Sequence, residues 1–318
     1  MPLHTILGAN GAVGRALSRE LTASGVRLRQ VGRHPRCEFP SDEIVVADLT
    51  NAASTVTAIA GSNVVYLVAG VLYTTAAWQA DWPRIMANVI EGCERSGAAL
   101  VFFDNVYAYG PRTGVMTEAT PFDPCSHKGE VRARIATTLL DAIRTQRVTA
   151  MIVRSPDFYY PREPGRTTGM LNAIVFDRLR AGKAPQWLGN PDAPHSFSYT
   201  PDLGRSLALL GTSTAAFGQT WHALTTPEEQ SGRDLVRLAS DIAGRAARLQ
   251  TAPRWMIRAM GLLQPSLREQ VEMLYQFEQP YRFSSSKLSD AFGVSATPYG
   301  DAFREVWAHD VRGSAQTA

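Results

Sequence analysis

The stretch "HTILGANGAVGRALSRELTASG", residues 4–25, decides the fold. Its first six residues, "HTILGA", form a short apolar run ending in glycine, which suits a strand buried in a parallel sheet. Val13, Leu17 and Leu21 then recur at helical spacing as far as Gly25, a position suited to a helix C-cap. Between strand and helix stand Gly8, Gly11 and Gly14. Gly8 permits a tight turn, Gly11 lets the backbone approach a pyrophosphate, and Gly14 lets the helix pack close to the strand. The start of that helix offers amide donors and the positive end of its dipole. Gly8, Asn10, Gly11, Ala12, Val13 and Gly14 are therefore the candidate phosphate contacts. A glycine-rich turn with no ligand is the competing reading, and the strand before and helix after weigh against it.

The same rhythm continues outward. "VRLRQVGR" (26–33), "EIVVADL" (43–49), "NVVYLVAG" (63–70), "AALVFFDNV" (98–106) and "VTAMIVRS" (148–155) read as strands. A long helix through "RIMANVIEGCERSG" (84–97) and another over "GEVRARIATTLLDAIRT" (129–145) separate the later ones. Alternation of this kind predicts an α/β fold, a Rossmann-like doubly wound parallel sheet with helices on both faces. Residues 1–155 are expected to form the nucleotide-binding domain, with a returning segment near 195–212. Residues 156–318 are expected to form a smaller, α-rich substrate-binding lobe interleaved with it. There "PDFYYPREPGRTTG" (156–169) is loop. Helices are expected over 168–182, 202–211, 231–244, 253–262 and 266–277, with a short strand near "HSFSY" (195–199). Trp187, Phe197, Tyr199, Trp221, Trp255, Met256, Met273, Tyr275 and Phe277 supply either an apolar substrate pocket or the core between lobe helices.

The end of the second strand bears on the choice of cofactor. A carboxylate there would hold the adenosine ribose of NAD and repel a 2′-phosphate. This chain has Gly32-Arg33-His34-Pro35-Arg36 instead. Arg33 and Arg36 either clamp a phosphate or are solvated surface arginines; the first alternative favours NADP over NAD. Asp48, after the third strand, is placed to accept from the adenine amino group or to cap its own loop.

The bulk properties exclude several classes. The chain has 318 residues, 45% of them hydrophobic, and a net charge of +3. That is a globular chain with scattered charge and no basic stripe for nucleic acid. Cys37, Cys93 and Cys125 are widely spaced, without metal-ligand or disulfide patterning, so no metal site is expected. No leader-like segment opens the sequence, and no apolar run approaches the ~18 residues of a membrane span. The expectation is a cytoplasmic protein with a small-molecule substrate. The basic residues are almost all arginine; the lysines are Lys128, Lys183 and Lys287.

The glycine spacing, "ADL" (47–49), "LVAG" (67–70), "VFFDNVYAYGP" (101–111), "TEATPFDP" (117–124) and "IVRSPDFYYP" (152–161), in that order, resemble the extended short-chain dehydrogenase/reductase family, the NAD-dependent epimerases and dehydratases. The resemblance covers roughly residues 4–205. It implies a nucleotide over the carboxyl ends of the strands, with Leu49, Ala69 and Gly70 lining it. It also implies that Ser155, Pro156 and Phe158 lie against the nicotinamide, and it admits a homodimer.

In the family a Tyr moves the proton, a Lys four residues later holds the ribose, and a Ser or Thr holds the substrate oxygen. Here Pro124 stands four residues before Lys128, and Asn105 takes the Ser/Thr position. The resemblance leaves Lys128 and Asn105 as the remaining half of the set. The missing proton donor is sought among Tyr107, Tyr109, His127, Tyr159 and Tyr160, with Tyr107 and Tyr159 the open choices. Three functions follow: an NADP(H)-linked oxidoreductase of a small carbonyl, hydroxyl or activated alkene compound, a sugar-nucleotide epimerase or dehydratase, or a catalytically silent NADP sensor.

Overall fold

The computed structural model describes residues 1–36, 38–161, 169–246 and 248–315. In chain order the elements begin β1 (Leu3–Leu7), α1 (Ala12–Ala23), β2 (Arg27–Gly32), β3 (Glu43–Val46), α2 (Ala52–Ile59), β4 (Val64–Leu67) and α3 (Thr75–Ser96). They continue with β5 (Ala99–Asn105), a 3₁₀ turn at Tyr107–Tyr109, α4 (His127–Arg144), β6 (Ala150–Ser155) and β7 (Phe158–Tyr159). A π-turn at Asn172–Phe176 leads into α5 (Asp177–Arg180), followed by β8 (Gln186–Leu188), β9 (Ser198–Tyr199), α6 (Thr200–Thr212) and β10 (Thr220–His222). The remainder is α7 (Gly232–Ile242), β11 (Gln250–Ala252), α8 (Arg254–Leu263), α9 (Pro265–Val271), α10 (Tyr275–Glu278), α11 (Ser286–Phe292) and α12 (Tyr299–Ala315).

Seven strands form one sheet in the order β10-β6-β5-β4-β1-β2-β3. Every pairing in it is parallel. The order reverses between β1 and β4, so a crevice opens there at the carboxyl ends of the strands, the usual ligand position in open α/β sheets. The inner strands read as continuous apolar runs because both faces are covered; β1 and β4 are buried throughout, whereas the edge strand β3 leaves Val46 72% exposed.

The chain divides into two compact units. The first comprises residues 1–110, 121–155 and 200–223; the second comprises 111–120, 156–199 and 224–318. The segment returning to the first unit thus runs over 200–223, not 195–212. It adds α6 and a seventh strand, β10, that the sequence reading did not foresee. Trp221, assigned to the lobe from sequence, belongs to that strand. Close packing fixes α6 against α1: a Cβ on Gly204 would stand 2.6 Å from the Ala16 carbonyl carbon.

Other differences are local. The α2 helix is short and carries no strong apolar stripe; Asn51 caps it by accepting from the Ser54 amide at 2.9 Å. The helix expected over 266–277 is divided into α9 and α10. In the second unit Trp187, Phe197, Tyr199 and Phe277 are buried core residues, while Trp255 is 70% exposed. Among the described residues no helix is long and apolar enough to cross a membrane.

On the face of the first unit's sheet, His4 and Tyr66 are both buried and meet at 3.1 Å between Nδ1 and Oη. Burial pulls the His4 imidazole down to about 4 from its ordinary 6.5. The folded state therefore holds His4 neutral, and the unfolded chain binds the extra proton first. Stability is full above pH 6.5 and is lost as pH falls toward about 4. The shift corresponds to at most ~3.5 kcal/mol, at about 1.4 kcal/mol per pH unit. We expect His4→Gln to flatten this acid limb, measured as urea midpoints at neutral pH and near pH 4.5; an unchanged pH slope would remove His4 from the account.

Candidate active site

The glycine loop closes on itself by backbone contacts. The Gly8 amide donates to the Val31 carbonyl at 2.9 Å, and the Gly11 amide donates to the Gly8 carbonyl at 3.1 Å. Gly8 has φ +97°, and a Cβ there would reach the Ala69 amide nitrogen at 2.6 Å, so only glycine fits this turn. A Cβ on Gly14 would stand 2.8 Å from the carbonyl oxygens of Gly8 and Ala9, which lets α1 press onto the turn. Gly11 is different: its Cβ would meet the Gly8 oxygen at an acceptable 3.4 Å. Gly11 is also the N-cap of α1 and provides no side-chain cap, so the amides of Ala12 and Val13 in the first turn are available to an outside acceptor.

A cleft of about 460 Å³ opens above this loop. Gly8, Asn10, Gly11, Arg33, Asp48, Leu49, Ala69 and Gly70 line it, together with His34, Thr50, Leu72, Asp81 and Ile85, which were not singled out from sequence. Asn10 acts as a brace. Its Nδ2 donates to the His34 carbonyl at 2.5 Å and its Oδ1 accepts from the Arg36 amide at 3.0 Å, tying the loop after β2 to the glycine turn. The Arg36 side chain is exposed and lies outside the cleft lining. Asp48 accepts at Oδ1 from both the amide and the hydroxyl of Thr50, at 2.9 and 2.8 Å. Those bonds, with Arg33 adding a smaller effect, hold its carboxyl below the usual range. An uncapped helix start, a turn only glycine can make and a cleft of this size fit a dinucleotide. The loop residues would hold its pyrophosphate.

A second group of side chains gathers beyond the end of β5. Gly110, at φ +66°, lets the backbone at Asp123 come close, and the Asp123 amide donates to the Ala108 carbonyl at 2.9 Å. Ser126 then caps α4 by accepting from the Gly129 amide at 3.0 Å. Gly129 admits the Tyr107 carbonyl, which a Cβ would meet at 2.7 Å. The first turn of α4 is thereby seated on the 3₁₀ turn, with Lys128 fully buried. The Lys128 ammonium donates to the Thr75 hydroxyl at 3.2 Å and lies 4.9 Å from the Tyr73 ring centroid. Asn105 accepts from the Tyr107 amide at 3.0 Å, and the Tyr107 ring stacks over Trp78 at 6.0 Å. The Tyr73 and Tyr107 hydroxyls are 3.5 Å apart.

Beneath these groups lies a buried ion cluster. Asp104 accepts from Arg154 Nε at 3.2 Å and pairs with Arg132 Nη1 at 3.3 Å. Arg132 also stacks on Trp82, 3.9 Å from the ring centroid. Arg154 donates to the Tyr109 hydroxyl at 3.0 Å, which in turn meets His222 Nε2 at 2.8 Å.

These positions sort the proposed proton donors. Tyr109 is fully buried in the ion cluster and braces it. His127 points outward, 66% exposed, with Glu130 at 3.6 Å. Tyr159 is 1% exposed in the aromatic core of the second unit, packed against Tyr199, Tyr299 and Phe303. Its selection as a catalytic candidate is corrected: the ring is core, filled on several sides by other aromatics. Tyr160 is held through its backbone by Asn172 at 2.8 and 3.2 Å. Tyr107 stays with Lys128 and Asn105. Tyr73 and Thr75 also join this group; they follow β4 in "LVAGVLYTT" (67–75), where the sequence points only to Ala69 and Gly70. Ser155 ends β6 in register with Asn105. Pro156 and Phe158 belong to the second unit, where Phe158 pairs with Ser198. Among the described residues no group of three or more His, Cys, Asp or Glu is placed to hold a metal ion; Cys37 lies outside those residues.

The family model of the NAD dependent epimerase/dehydratase family matches residues 4–220. The chain belongs to that family. It is similar to the uncharacterized protein y4nL of Sinorhizobium fredii, 26% identical over 257 residues that cover 71% of this chain and 68% of that one. The structure resembles that of gox2253, with a TM-score of 0.81, 20% identity and coverage of 98% of this chain and 99% of the other. It also resembles the Thermus thermophilus UDP-glucose 4-epimerase in complex with NAD, with a TM-score of 0.78, 17% identity and coverage of 98% and 99%.

The two glycines give a paired test. Gly11→Ala fits the ligand-free backbone and should leave the melting temperature nearly unchanged while weakening dinucleotide binding tenfold or more. Gly14→Ala forces α1 off the turn and should lower the melting temperature. Calorimetric titration and thermal denaturation read the two effects, and equal binding by Gly11→Ala and the unchanged protein would show that the nucleotide does not use this loop.

Proposed function

We propose that this protein is an NADP(H)-dependent oxidoreductase acting on a small carbonyl or hydroxyl compound. The observation that carries the cofactor preference is Arg33. It lines the cleft directly after β2, with His34 beside it, where a carboxylate would be needed for selective NAD binding. Asp48, the nearby carboxylate, already accepts twice from Thr50. A guanidinium there favours the extra phosphate by charge-assisted hydrogen bonds, and Arg36 is close enough in sequence to join it.

The reaction is assigned to the group around Lys128. The nicotinamide supplies or removes hydride when bound. Lys128 would hold the adjoining ribose and place positive charge near a carbonyl oxygen gaining negative charge. Asn105 orients the Tyr107 turn through its side-chain oxygen and would offer its amide to the substrate oxygen. The substrate is a small molecule, not a nucleic acid or a membrane, and the reaction belongs to the cytoplasm.

A second reading is supported by family membership and by the resemblance to a UDP-glucose 4-epimerase. In it the cleft keeps NAD through a complete oxidation and reduction of a sugar nucleotide. That chemistry begins by removing a hydroxyl proton, which makes the absence of a tyrosine at position 124 a greater obstacle than it is for reduction.

Fluorescence titration separates the two. The unchanged protein should bind NADPH at least tenfold more tightly than NADH, about 1.4 kcal/mol. Arg33→Ala combined with Arg36→Ala should abolish that preference and leave NADH binding unaltered. Tighter binding of NADH, or purification with NAD already bound, would favour the epimerase reading.

A further inference from the structure

We propose that Tyr73 is the proton donor of this site, its hydroxyl positioned by Tyr107 and its phenolate stabilised by Lys128. The inference rests on the oxidoreductase reading above and names the acid that α4 lacks. Pro124, three residues before α4 begins, stands where a hydroxyl would be expected, but Lys128 is still fully buried in the helix turn seated on the Tyr107 carbonyl. A buried ammonium requires partners, and two of those it has come from the entry into α3: the hydroxyl of Thr75, its first residue, at 3.2 Å and the Tyr73 ring just before it at 4.9 Å.

Tyr73 has a fixed position. Thr74 caps α3 by accepting from the Ala77 amide at 3.2 Å, which makes Tyr73 the residue before the cap and Trp78 the fourth residue of the helix. Their rings meet edge to face at 5.5 Å, the arrangement of a hydrophobic staple. A staple needs only the ring. The hydroxyl has a separate neighbour, the Tyr107 hydroxyl at 3.5 Å, at the outer limit of a hydrogen bond, while the Lys128 ammonium lies over the ring itself, 4.9 Å from its centroid. Arg132 on α4 adds a further positive charge that interacts with both phenols. Tyr73 is 37% exposed, so a ligand and water can both reach it, and it immediately follows Val71 and Leu72 of the cofactor cleft.

The step balances as follows. Hydride from a dihydronicotinamide forms a C–H bond at the carbonyl carbon, and the C=O electron pair moves onto oxygen. The Tyr73 Oη–H bond breaks as the new O–H bond forms, giving an alcohol and a phenolate. A proton from solution then restores the phenol, the one proton the overall reduction consumes. The carbonyl is reduced and the nicotinamide oxidised. Lys128 and Arg132 favour the phenolate. Tyr107 is a positioning residue.

The test begins with ligand-free protein. Titration of tyrosine near-ultraviolet absorbance should reveal one phenol ionising below the ordinary value of about 10. That component should vanish in Tyr73→Phe, which keeps the staple ring, and move upward in Lys128→Met and in Tyr107→Phe. With NADPH and a panel of aldehydes and ketones, Tyr73→Phe should lower kcat about a hundredfold or more with NADPH affinity unchanged. A low-pH component of unchanged amplitude in Tyr73→Phe, with the loss falling in the ordinary phenols instead, would overturn the inference, as would a kcat within about twofold. Failure of the unchanged protein to bind NADPH would overturn the oxidoreductase reading instead, and the ligand-free titration would still decide whether Tyr73 is activated.

Discussion

A single buried carboxylate organises the first unit. Asp104, at 2% exposure, stands between the guanidinium groups of Arg132 and Arg154 and so joins β5 to α4 and to β6. Bringing three charges out of water is expensive, and one carboxylate cannot neutralise two arginines. The remaining cost is offset by other contacts. Arg132 lies on the faces of Trp82 and Trp78, and Arg154 donates to Tyr109 while stacking near Phe122. Burial still pulls the Arg132 guanidinium below its ordinary range, with Asp104 the largest opposing influence.

The site follows from that junction. With α4 anchored at Arg132, its first turn lies against the 3₁₀ turn at Tyr107–Tyr109, provided Gly129 leaves room for the Tyr107 carbonyl. Gly110 lets the chain bring residues 121–128 to the same place. Lys128 then projects toward the start of α3, where Thr75 and Tyr73 meet it. The cleft above the glycine loop depends on an analogous pair of approaches, Gly8 against Ala69 and Gly14 against the Gly8 carbonyl. Close backbone contacts at four glycines thus complete what the Asp104 junction begins.

Much of this was legible in the sequence because it is local. The glycine loop, the alternation of strands and helices, and the N-terminus of α4 are short-range patterns. The cleft is lined by Gly8, Gly11, Arg33, Asp48 and Leu49 from those motifs, while Gly14 lies outside its lining. What escaped the sequence reading depends on long-range closure. The strand β10 is only three residues long, and nothing in "TWH" announces pairing with β6 across the first unit. Tyr159 read as a site residue because it stands in a family-like motif, but packing with Tyr299 and Phe303, more than a hundred residues away, makes it core. Tyr73 was overlooked for the converse reason: its neighbours Lys128 and Tyr107 lie 55 and 34 positions away, and local pattern explains the ring but not the hydroxyl.

On the proposed function, the crevice between β1 and β4 holds a phosphorylated dinucleotide with its reactive end directed to Lys128. A crystal structure of the protein with NADP⁺ decides this. Pyrophosphate oxygens are expected on the amides of Gly11, Ala12 and Val13, the 2′-phosphate within hydrogen-bond distance of Arg33, and the nicotinamide ribose on the Lys128 ammonium. A nucleotide bound elsewhere, or one whose adenosine ribose is held by Asp48 with Arg33 turned away, would contradict it.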